Sequence, residues 1–348
     1  MRTYIDLFAG CGGWSLGLKE AGWKNKGFYE INQSACNTAQ RNLDAEINRV
    51  NLEDNECLSF PTVDVVVGSP PCQGFSNEGY KNKNDIRNNL VFSYYQIVKK
   101  IRPNMFIFEN VPGFQRLYQG FFYKQFIKLF EEIGYSVESK ILNFSNYGVP
   151  QNRKRFVAVG TLDRSFHFPE PSHVDEQDLF KRESKVTLWD AISDLPHVLH
   201  GERKGIFEYT KGPQNTFQRI MRKNSEKIFN HTTQAHSQRV LDKIAMVPIG
   251  GNMESIVEGY SENKTHYEGG YRRAEKNKPS YTAYWTRGMT SIHPELNRFL
   301  SPRECARIQS FPDTHIFEGN TIEHYTQICN AVPPVFAQAL ANHINNEC

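Results

Sequence analysis

Long hydrophobic runs are missing from this 348-residue chain. No apolar stretch approaches the roughly 20 residues that a membrane-spanning helix requires. The N-terminus enters a strand-like pattern at Thr3 without the features of a signal peptide. The seven cysteines include no Cys-x-x-Cys pair and no spacing typical of a metal site. These absences predict a cytoplasmic protein without a membrane segment, a disulfide framework or a bound metal.

Net charge is also small, at +3, but it is unevenly distributed. The segment from Gly201 to Arg298 carries 16 Lys and Arg against 10 Asp and Glu, and the remainder carries 25 against 28. A basic segment on a slightly acidic body predicts a polyanionic partner for that segment. Solvated basic faces are common, so the charge pattern alone leaves the partner open.

Strand-like and helix-like segments alternate over the first two-thirds of the chain, which predicts a parallel α/β sheet. After about residue 196 this alternation is lost for a hundred residues. Helices are expected at 15–21, 34–43, 90–101, 121–133, 188–195, 302–309 and 334–344, and strands at 4–8, 27–30, 63–68, 105–108, 136–142 and 156–160.

The chain is organised around residues 63–76. Their first half is a β-branched apolar run, which predicts a strand buried on both faces. Pro70 and Pro71 then stiffen the backbone that leads to Cys72. A thiol held rigidly at the carboxyl end of a buried strand is typical of a nucleophile. A buried structural cysteine is the alternative interpretation, and the double proline favours the nucleophile.

Two other predicted strands end in groups suited to a nucleoside. Phe8 is followed by a turn that contains Gly10, Gly12 and Gly13, and the next strand ends at Glu30. Glycines allow close approach of a ligand to the backbone, and the carboxylate of Glu30 could accept both hydroxyls of a ribose. The spacing favours a nucleoside cofactor over an ordinary tight turn.

Glu109 directly follows four apolar residues, and burial would favour its protonated form, as a general acid requires. A salt-bridged or helix-capping carboxylate is the alternative.

Arg153 and Arg155 lie on one face of an extended segment, where they could bind phosphate or a base oxygen. A solvated charge run is the alternative there.

Six motifs occur in a fixed order, at residues 6–13, 70–76, 109–111, 151–155, 303–313 and 327–334. In this order the chain resembles the C5-cytosine-specific DNA methyltransferases of bacterial restriction-modification systems over nearly its whole length. The resemblance implies a Rossmann-like S-adenosylmethionine-dependent methyltransferase sheet with a smaller, mostly irregular or β target-recognition domain. It places the catalytic and cofactor-binding domain at 1–195 plus 313–348 and the target-recognition domain at 196–312.

The implied reaction transfers a methyl group from S-adenosylmethionine to C5 of a cytosine flipped out of a specific duplex DNA sequence. It proceeds through a covalent bond between Cys72 and C6 and leaves S-adenosylhomocysteine, with no metal. Double-stranded DNA is the expected partner, bound by a monomer, together with a separately encoded cognate restriction endonuclease. The expected location is the cytoplasm, in association with a prokaryotic nucleoid.

The resemblance assigns roles residue by residue. Cys72 would attack the cytosine, and Glu109 would donate to ring N3 of that base. Arg155 would hold O2 of the cytosine, and Arg153 would support Arg155. The remaining assignments are cofactor binding by Asp6, Phe8, Gly10, Gly12, Gly13, Glu30, Ile31, Asn51, Pro70, Asn330 and Val332, and DNA binding by Gln73, Ser76, Arg272, Arg273 and Arg287.

Two positions depart from the family pattern: Cys329 stands where Gly is usual, and Asn51 stands where Asp commonly contacts the adenine.

Two other functions stay open. Cytosine-5 methylation of tRNA uses the same motifs, but the chain has no Cys-Phe-Thr tripeptide and its recognition region is large, which favours DNA. A catalytically silent DNA-binding relative is the other, and intact Cys72 and Glu109 argue against it.

Overall fold

The computed structural model of the protein describes residues 1–71, 89–163, 165–175, 182–255, 271–285 and 289–347. The predictions for Cys72, Gln73, Ser76 and Arg287 lie outside these residues. Packing divides the chain into two compact units. The domain boundaries predicted from sequence concern function, and they stay a prediction. Unit 1 comprises Met1–Asn143, Lys154–Glu170 and Phe336–Cys348, and unit 2 comprises Phe144–Arg153 and Pro171–Val335.

A seven-stranded sheet forms the centre of unit 1. Its strands β1 to β5 run parallel, and β7 pairs antiparallel with both β5 and β6. The spatial order is β3-β2-β1-β4-β5-β7-β6. This arrangement confirms the predicted α/β fold class, and the strands at its end, β7 and β6, pair antiparallel instead of parallel. The strands are β1 Thr3–Leu7, β2 Lys24–Glu30, β3 Ile47–Arg49, β4 Val65–Gly68, β5 Met105–Asn110, β6 Ser136–Asn143 and β7 Lys154–Thr161.

A helix lies close to each of the seven predicted helical segments, whereas the helices Gly113–Arg116, Thr216–Met221, Gln238–Met246 and Thr321–Asn330 were not predicted. The short strands of unit 2 form two separate pairs, β8 with β9 and β10 with β11. The elements are α1 Gly13–Glu20, α2 Gln33–Asn42, α3 Asn89–Ile101, α4 Gly113–Arg116, α5 Phe121–Glu132, β8 His173–Val174, β9 Glu183–Ser184, α6 Leu188–Ile192, β10 Phe207–Glu208, α7 Thr216–Met221, β11 Lys227–Ile228, α8 Gln238–Met246, α9 Pro302–Ile308, α10 Thr321–Asn330 and α11 Pro334–Asn346.

Tyr94 of α3 fixes the two central strands of unit 1. Its hydroxyl group is buried and lies 3.2 Å from the carbonyl oxygen of Val66 in β4 and 3.0 Å from that of Ile107 in β5. A Cβ at Gly68 would lie 2.8 Å from the ring of Tyr94, so this close approach requires glycine at the last residue of β4. The backbone that leads to Cys72 therefore starts from a fixed point.

The described part of unit 2 has no large sheet, and a network of buried ion pairs lies in its interior. The Arg307 guanidinium donates to both carboxylate oxygens of Asp313 at 2.6 Å and to Asp194 at 3.1 Å. All three side chains are fully buried. Burial alone would raise the pKa of Asp313, but the charge of Arg307 outweighs it and holds that pKa below its usual value. Within the motif at 303–313, the ion pair thus ties the segment that follows α9 back to Arg307 of that helix.

Substitution of Asp313 by Asn should leave the buried Arg307 only partly compensated. We expect a loss of about 3–5 kcal/mol in the free energy of unfolding, since one partner of a buried ion pair is removed. Chemical denaturation measures this loss. Glu132→Gln is the control, because its pair with Lys128 is exposed and should change stability by less than about 1 kcal/mol. Equal effects of the two substitutions would contradict this account of unit 2.

Candidate active site

The glycine turn after β1 is open on one side. Gly12 has a φ of +89°, and a Cβ there would lie 2.6 Å from Cδ1 of Leu43, so any other residue would be strained there. Gly10 has a φ of +55°, but a Cβ there would meet no atom within 4 Å. Phe8 begins the turn and is partly exposed, whereas Gly13 is buried at the start of α1. The turn therefore presents backbone to a ligand on the side of Gly10.

Glu30 joins this turn to the end of β2. Its Oε2 accepts a hydrogen bond of 2.8 Å from the amide of Gly10. Its Oε1 accepts bonds from the amides of Ile31 and Asn32, at 2.9 and 2.8 Å. A carboxylate has about four acceptor positions, so Oε2 retains capacity for a hydroxyl group. The sequence predicted the ribose acceptor but gave no sign that the same side chain fixes the turn.

Two exposed side chains flank Glu30. Ile31 is 57% exposed, and its apolar surface suits the face of a base. The amide of Val50 donates to the carbonyl of Glu30 at 3.0 Å, which places the exposed Asn51 just beyond the end of β2. The Asn51 side chain caps the 3₁₀ helix Leu52–Cys57 through the amide of Glu53 at 3.1 Å. An open turn, a hydroxyl acceptor and an exposed apolar side chain fit a nucleoside cofactor.

Asp6 lies elsewhere than predicted. Its carboxyl group is fully buried, and Oδ2 accepts a 2.6 Å bond from the hydroxyl of Ser15 on α1. Tyr4 and Asn25 also bind Ser15, so β1, β2 and α1 meet in one polar cluster. Desolvation raises the pKa of Asp6 to about 7. This placement argues against direct cofactor contact and indicates that Asp6 orients the helix that follows the glycine turn.

The pH dependence of stability tests this placement. The pKa of Asp6 rises from 3.8 to about 7 on folding, so the native state binds more protons between these values. Its contribution to stability is therefore present at low pH and is lost as pH rises to about 7. The Asp6→Asn variant lacks this pH-dependent loss. The free energy of unfolding of the variant, relative to wild type, should therefore increase as pH rises from about 4 to about 7. Denaturation series at several pH values would refute the placement if the two curves ran parallel. The exposed Asp44→Asn is the control and should follow wild type.

Glu109 and Arg155 form the second half of the site in unit 1. Glu109 lies within β5 and not after it. Its Oε1 is 3.0 Å from Nε of Arg155, which belongs to the neighbouring strand β7. Both side chains are largely buried, at 8% and 14% exposure. Burial lowers the pKa of the Arg155 guanidinium, and the charge of Glu109 acts against that shift. The structure thus brings together two of the predicted catalytic side chains and orients each by the other.

The backbone before Cys72 is held from two directions. The side-chain amide of Asn110 donates to the carbonyl of the buried Pro70 at 3.2 Å. The indole of Trp14 donates to the hydroxyl of Ser69 at 3.0 Å. Sequence reasoning missed both residues. Asn110 belongs to the 109–111 motif, which could have indicated its role, whereas no sequence pattern indicated the role of Trp14.

Arg153 and the last motif lie in unit 2. Arg153 is 2% exposed and donates to the carbonyl of Cys329 at 2.8 Å. Cys329 makes this contact through its backbone, which does not depend on the side chain that differs from the family pattern. Asn330 is exposed and Val332 is buried. The supporting role of Arg153 and the two cofactor contacts stay predictions.

The predicted DNA-binding role of Arg273 needs correction. Its side chain is buried and donates five hydrogen bonds, to the carbonyls of Ile244, Val247, His293 and Leu296 and to the side chain of Asn297. Because these bonds satisfy the guanidinium inside unit 2, Arg273 stabilises the fold instead of contacting bases. Arg272 is less buried and lies over the ring of Tyr281 at 4.3 Å, and its DNA contact stays a prediction.

The sheet and its edge define a methyltransferase-like nucleoside site, and comparison with known proteins identifies the family. The profile described as C-5 cytosine-specific DNA methylase matches residues 2–346. The chain therefore belongs to the C-5 cytosine-specific DNA methylase family.

Similar proteins agree with this assignment. The type II methyltransferase M.DdeI of Desulfomicrobium norvegicum is 36% identical, over 98% of this chain and 88% of that protein. The type II methyltransferase M1.HphI of Haemophilus parahaemolyticus is 35% identical, over 98% and 86%. A solved structure described as an E. coli prophage DNA modification methyltransferase has a TM-score of 0.75 at 25% identity, with 99% of both chains covered. The S. pombe Dnmt2 structure shares the fold, with a TM-score of 0.61 at 15% identity and 99% of both chains covered.

No helix among the residues described is long and apolar enough to cross a membrane.

Proposed function

We propose that this protein is a DNA (cytosine-5-)-methyltransferase that methylates C5 of a flipped-out cytosine in a specific duplex sequence. The buried ion pair of Glu109 with Arg155, in a chain that retains Cys72, carries the proposal. Family membership over residues 2–346 and the type II methyltransferases among its relatives support it.

Cys72 is the nucleophile in this mechanism. Its thiolate adds to C6 of the cytosine and makes C5 electron-rich. A free thiol is only a few per cent ionised near neutral pH, so positioning must supply much of the rate. Asn110 and Trp14 hold the backbone two to three residues before Cys72, which supports such positioning. The base must leave the duplex first, at a cost of about a few kcal/mol.

Glu109 and Arg155 act on the other edge of the ring. The Glu109 carboxylate, which is ion-paired with Arg155 in the structure, takes up a proton and donates it to N3 as Cys72 attacks, which prevents negative charge from accumulating on the ring. Arg155 fixes the Glu109 carboxyl through the 3.0 Å contact and binds O2 of the base. C5 then takes up the methyl group, its proton passes to solvent, the C6–S bond breaks to release the Cys72 thiolate, and N3 returns its proton to Glu109, which restores the aromatic ring. Arg153 supports this segment through the carbonyl of Cys329.

The family implies S-adenosylmethionine as the methyl donor, and it supplies a methyl group activated by sulfonium. Glu30 would bind the ribose hydroxyls, the turn at Gly10 would approach the amino-acid moiety, and Ile31 would cover the adenine. Asn51 can accept a bond from the adenine amine through its side-chain carbonyl. Phe8, Gly12, Gly13, Pro70, Asn330 and Val332 complete the proposed cofactor set. S-adenosylhomocysteine is the proposed product, and no metal takes part.

Duplex DNA is the proposed substrate, bound by a monomer in the cytoplasm and associated with the nucleoid. Residues 196–312 are proposed to recognise the target, with Arg272 and Arg287 as contacts, and Gln73 and Ser76 to close over the base. A separately encoded endonuclease is the proposed functional partner, because the curated relatives are named type II methyltransferases.

A tritium-transfer assay with labelled S-adenosylmethionine tests the activity. Label should enter duplex DNA at cytosine C5 and should not enter tRNA. Label found only in tRNA would replace the proposal with tRNA methylation. Binding of duplex DNA without any transfer would identify a catalytically silent relative.

Cys72→Ser should abolish methyl transfer and leave duplex affinity nearly unchanged, since a serine hydroxyl ionises far less readily than a thiol. Duplex DNA with 5-fluorocytosine at the target should trap the wild type covalently, because fluorine cannot leave as a cation. Denaturing gel electrophoresis detects the adduct. Trapping of Cys72→Ser to the same extent would remove Cys72 from the nucleophile role.

Glu30→Ala should raise KM for S-adenosylmethionine by about tenfold or more and leave KM for DNA little changed, because a charge-assisted bond and the anchor of Gly10 are both lost. Steady-state kinetics with each substrate varied in turn measures the effect. Gln33→Ala, an exposed change near the start of α2, should leave both constants unchanged. A selective rise in KM for DNA would reverse the assignment of this edge.

A further inference from the structure

One segment of the proposed recognition region, residues 280–283, is bound directly to the segment that carries Arg153. The amide of Ser280 donates to the carbonyl of Pro150 at 3.0 Å, and the amide of Asn152 donates to the carbonyl of Ser280 at 2.8 Å. The hydroxyl of Thr282 adds a bond of 2.8 Å to the carbonyl of Asn152. All of these residues belong to unit 2. The pairing fixes the register between two segments that lie about 130 residues apart in sequence.

Two glutamines extend this contact through the interior of unit 2. The amide of Ala283 donates to Oε1 of Gln151 at 2.9 Å, and Nε2 of Gln151 donates to Oε1 of Gln309 at 2.5 Å. Nε2 of Gln309 then donates to the carbonyls of Ile328 and Ala331, at 3.0 and 2.6 Å. Both glutamines are fully buried. The bonds run in series from the recognition region to the 327–334 motif.

The direction of these bonds is fixed at both ends. The backbone amide of Ala283 can only donate, so Gln151 must present its oxygen there. The carbonyls of Ile328 and Ala331 can only accept, so Gln309 must present its nitrogen there. The remaining groups then meet as a donor and an acceptor. Rotation of either amide by half a turn would oppose like groups in a buried site, which is costly.

We propose that Gln151 and Gln309 form an amide relay that keeps residues 280–283 in register with Arg153 and with residues 328–331. Both glutamines are positioning residues for target selection, an inference that rests on the proposed function. Arg153 lies two residues after Gln151 and binds the carbonyl of Cys329, so Arg153 and the relay both contact residues 328–331.

Gln151→Met tests the relay, since it keeps the volume and removes the hydrogen bonds of the side-chain amide to Ala283, Gln309 and the carbonyl of Ile308. Gln218→Met is the matched control. Gln218 is also a fully buried glutamine of unit 2, and it accepts a bond from the amide of Gln214 and donates to the carbonyl of Asp190 and the hydroxyl of Ser193. None of its partners belongs to 280–283. The two substitutions should lower the unfolding midpoint by similar amounts.

Two readouts separate positioning from general destabilisation. The first is amide hydrogen exchange of the 280–283 segment without substrate, which should accelerate in Gln151→Met and stay at the wild-type rate in Gln218→Met. The second readout compares two unmethylated duplexes, one with the target sequence identified by bisulfite sequencing and one with a single base pair of that sequence changed. It is the ratio of kcat/KM for the first duplex to kcat/KM for the second. This ratio should fall by about tenfold in Gln151→Met, the discrimination of one good base contact. It should stay near wild type in the control.

A wild-type exchange rate at 280–283 in Gln151→Met would overturn the relay, and an unchanged ratio with faster exchange would overturn its role in selection. Equal changes in the control would show general loosening and would also overturn it. If Gln151→Met does not fold, Thr282→Val removes a less buried bond of the same pairing and should shift both readouts in the same direction. If the wild type does not methylate duplex DNA, the proposed function fails, while the exchange measurement still decides whether the relay exists.

Discussion

The parallel pairing of β1 with β2 and β4, and of β4 with β5, is the constraint on which the unit 1 site depends. It sets the glycine turn, Glu30 and the start of the Cys72 segment at one edge of a sheet whose central strands β4 and β5 are buried on both faces. Short polar contacts then fix each strand end to its neighbour: Glu30 holds the turn, and Asn110 holds Pro70. The chemistry requires side chains placed to within a fraction of an ångström, and strands held in register by several bonds provide that precision.

The sequence predicted these strand ends well because apolar runs and glycine turns are local signals. Polar residues inside the protein were harder to place, since the partner that compensates their burial lies far along the chain. Asp6 follows the same local rule as Glu30, yet its side chain faces α1 and not the open edge. Arg273 looks like a DNA contact from its basic surroundings, but backbone carbonyls from four other residues satisfy it. Neither fact follows from spacing or composition.

The family motifs also contain residues whose structural roles the resemblance did not predict. The 303–313 motif contributes Arg307 and Asp313 to a buried ion-pair network and Gln309 to the amide relay. The ordered motifs of unit 2 therefore contain residues that build its interior as well as residues suited to touch ligands. In a unit with short strands, directional bonds between buried polar groups specify one packing arrangement where apolar contacts alone would allow several.

The basic excess of residues 201–298 must be interpreted in the same way. Arg273 and Arg298 both belong to the segment counted as basic, and both are buried with their donors satisfied inside unit 2. Arg298 is neutralised by Glu304, which lies outside that segment. Two of the charges in the excess thus have no share in the release of counterions from DNA, since only groups that reach phosphates contribute to it. Sequence-independent affinity should then come from fewer cations than the composition suggests.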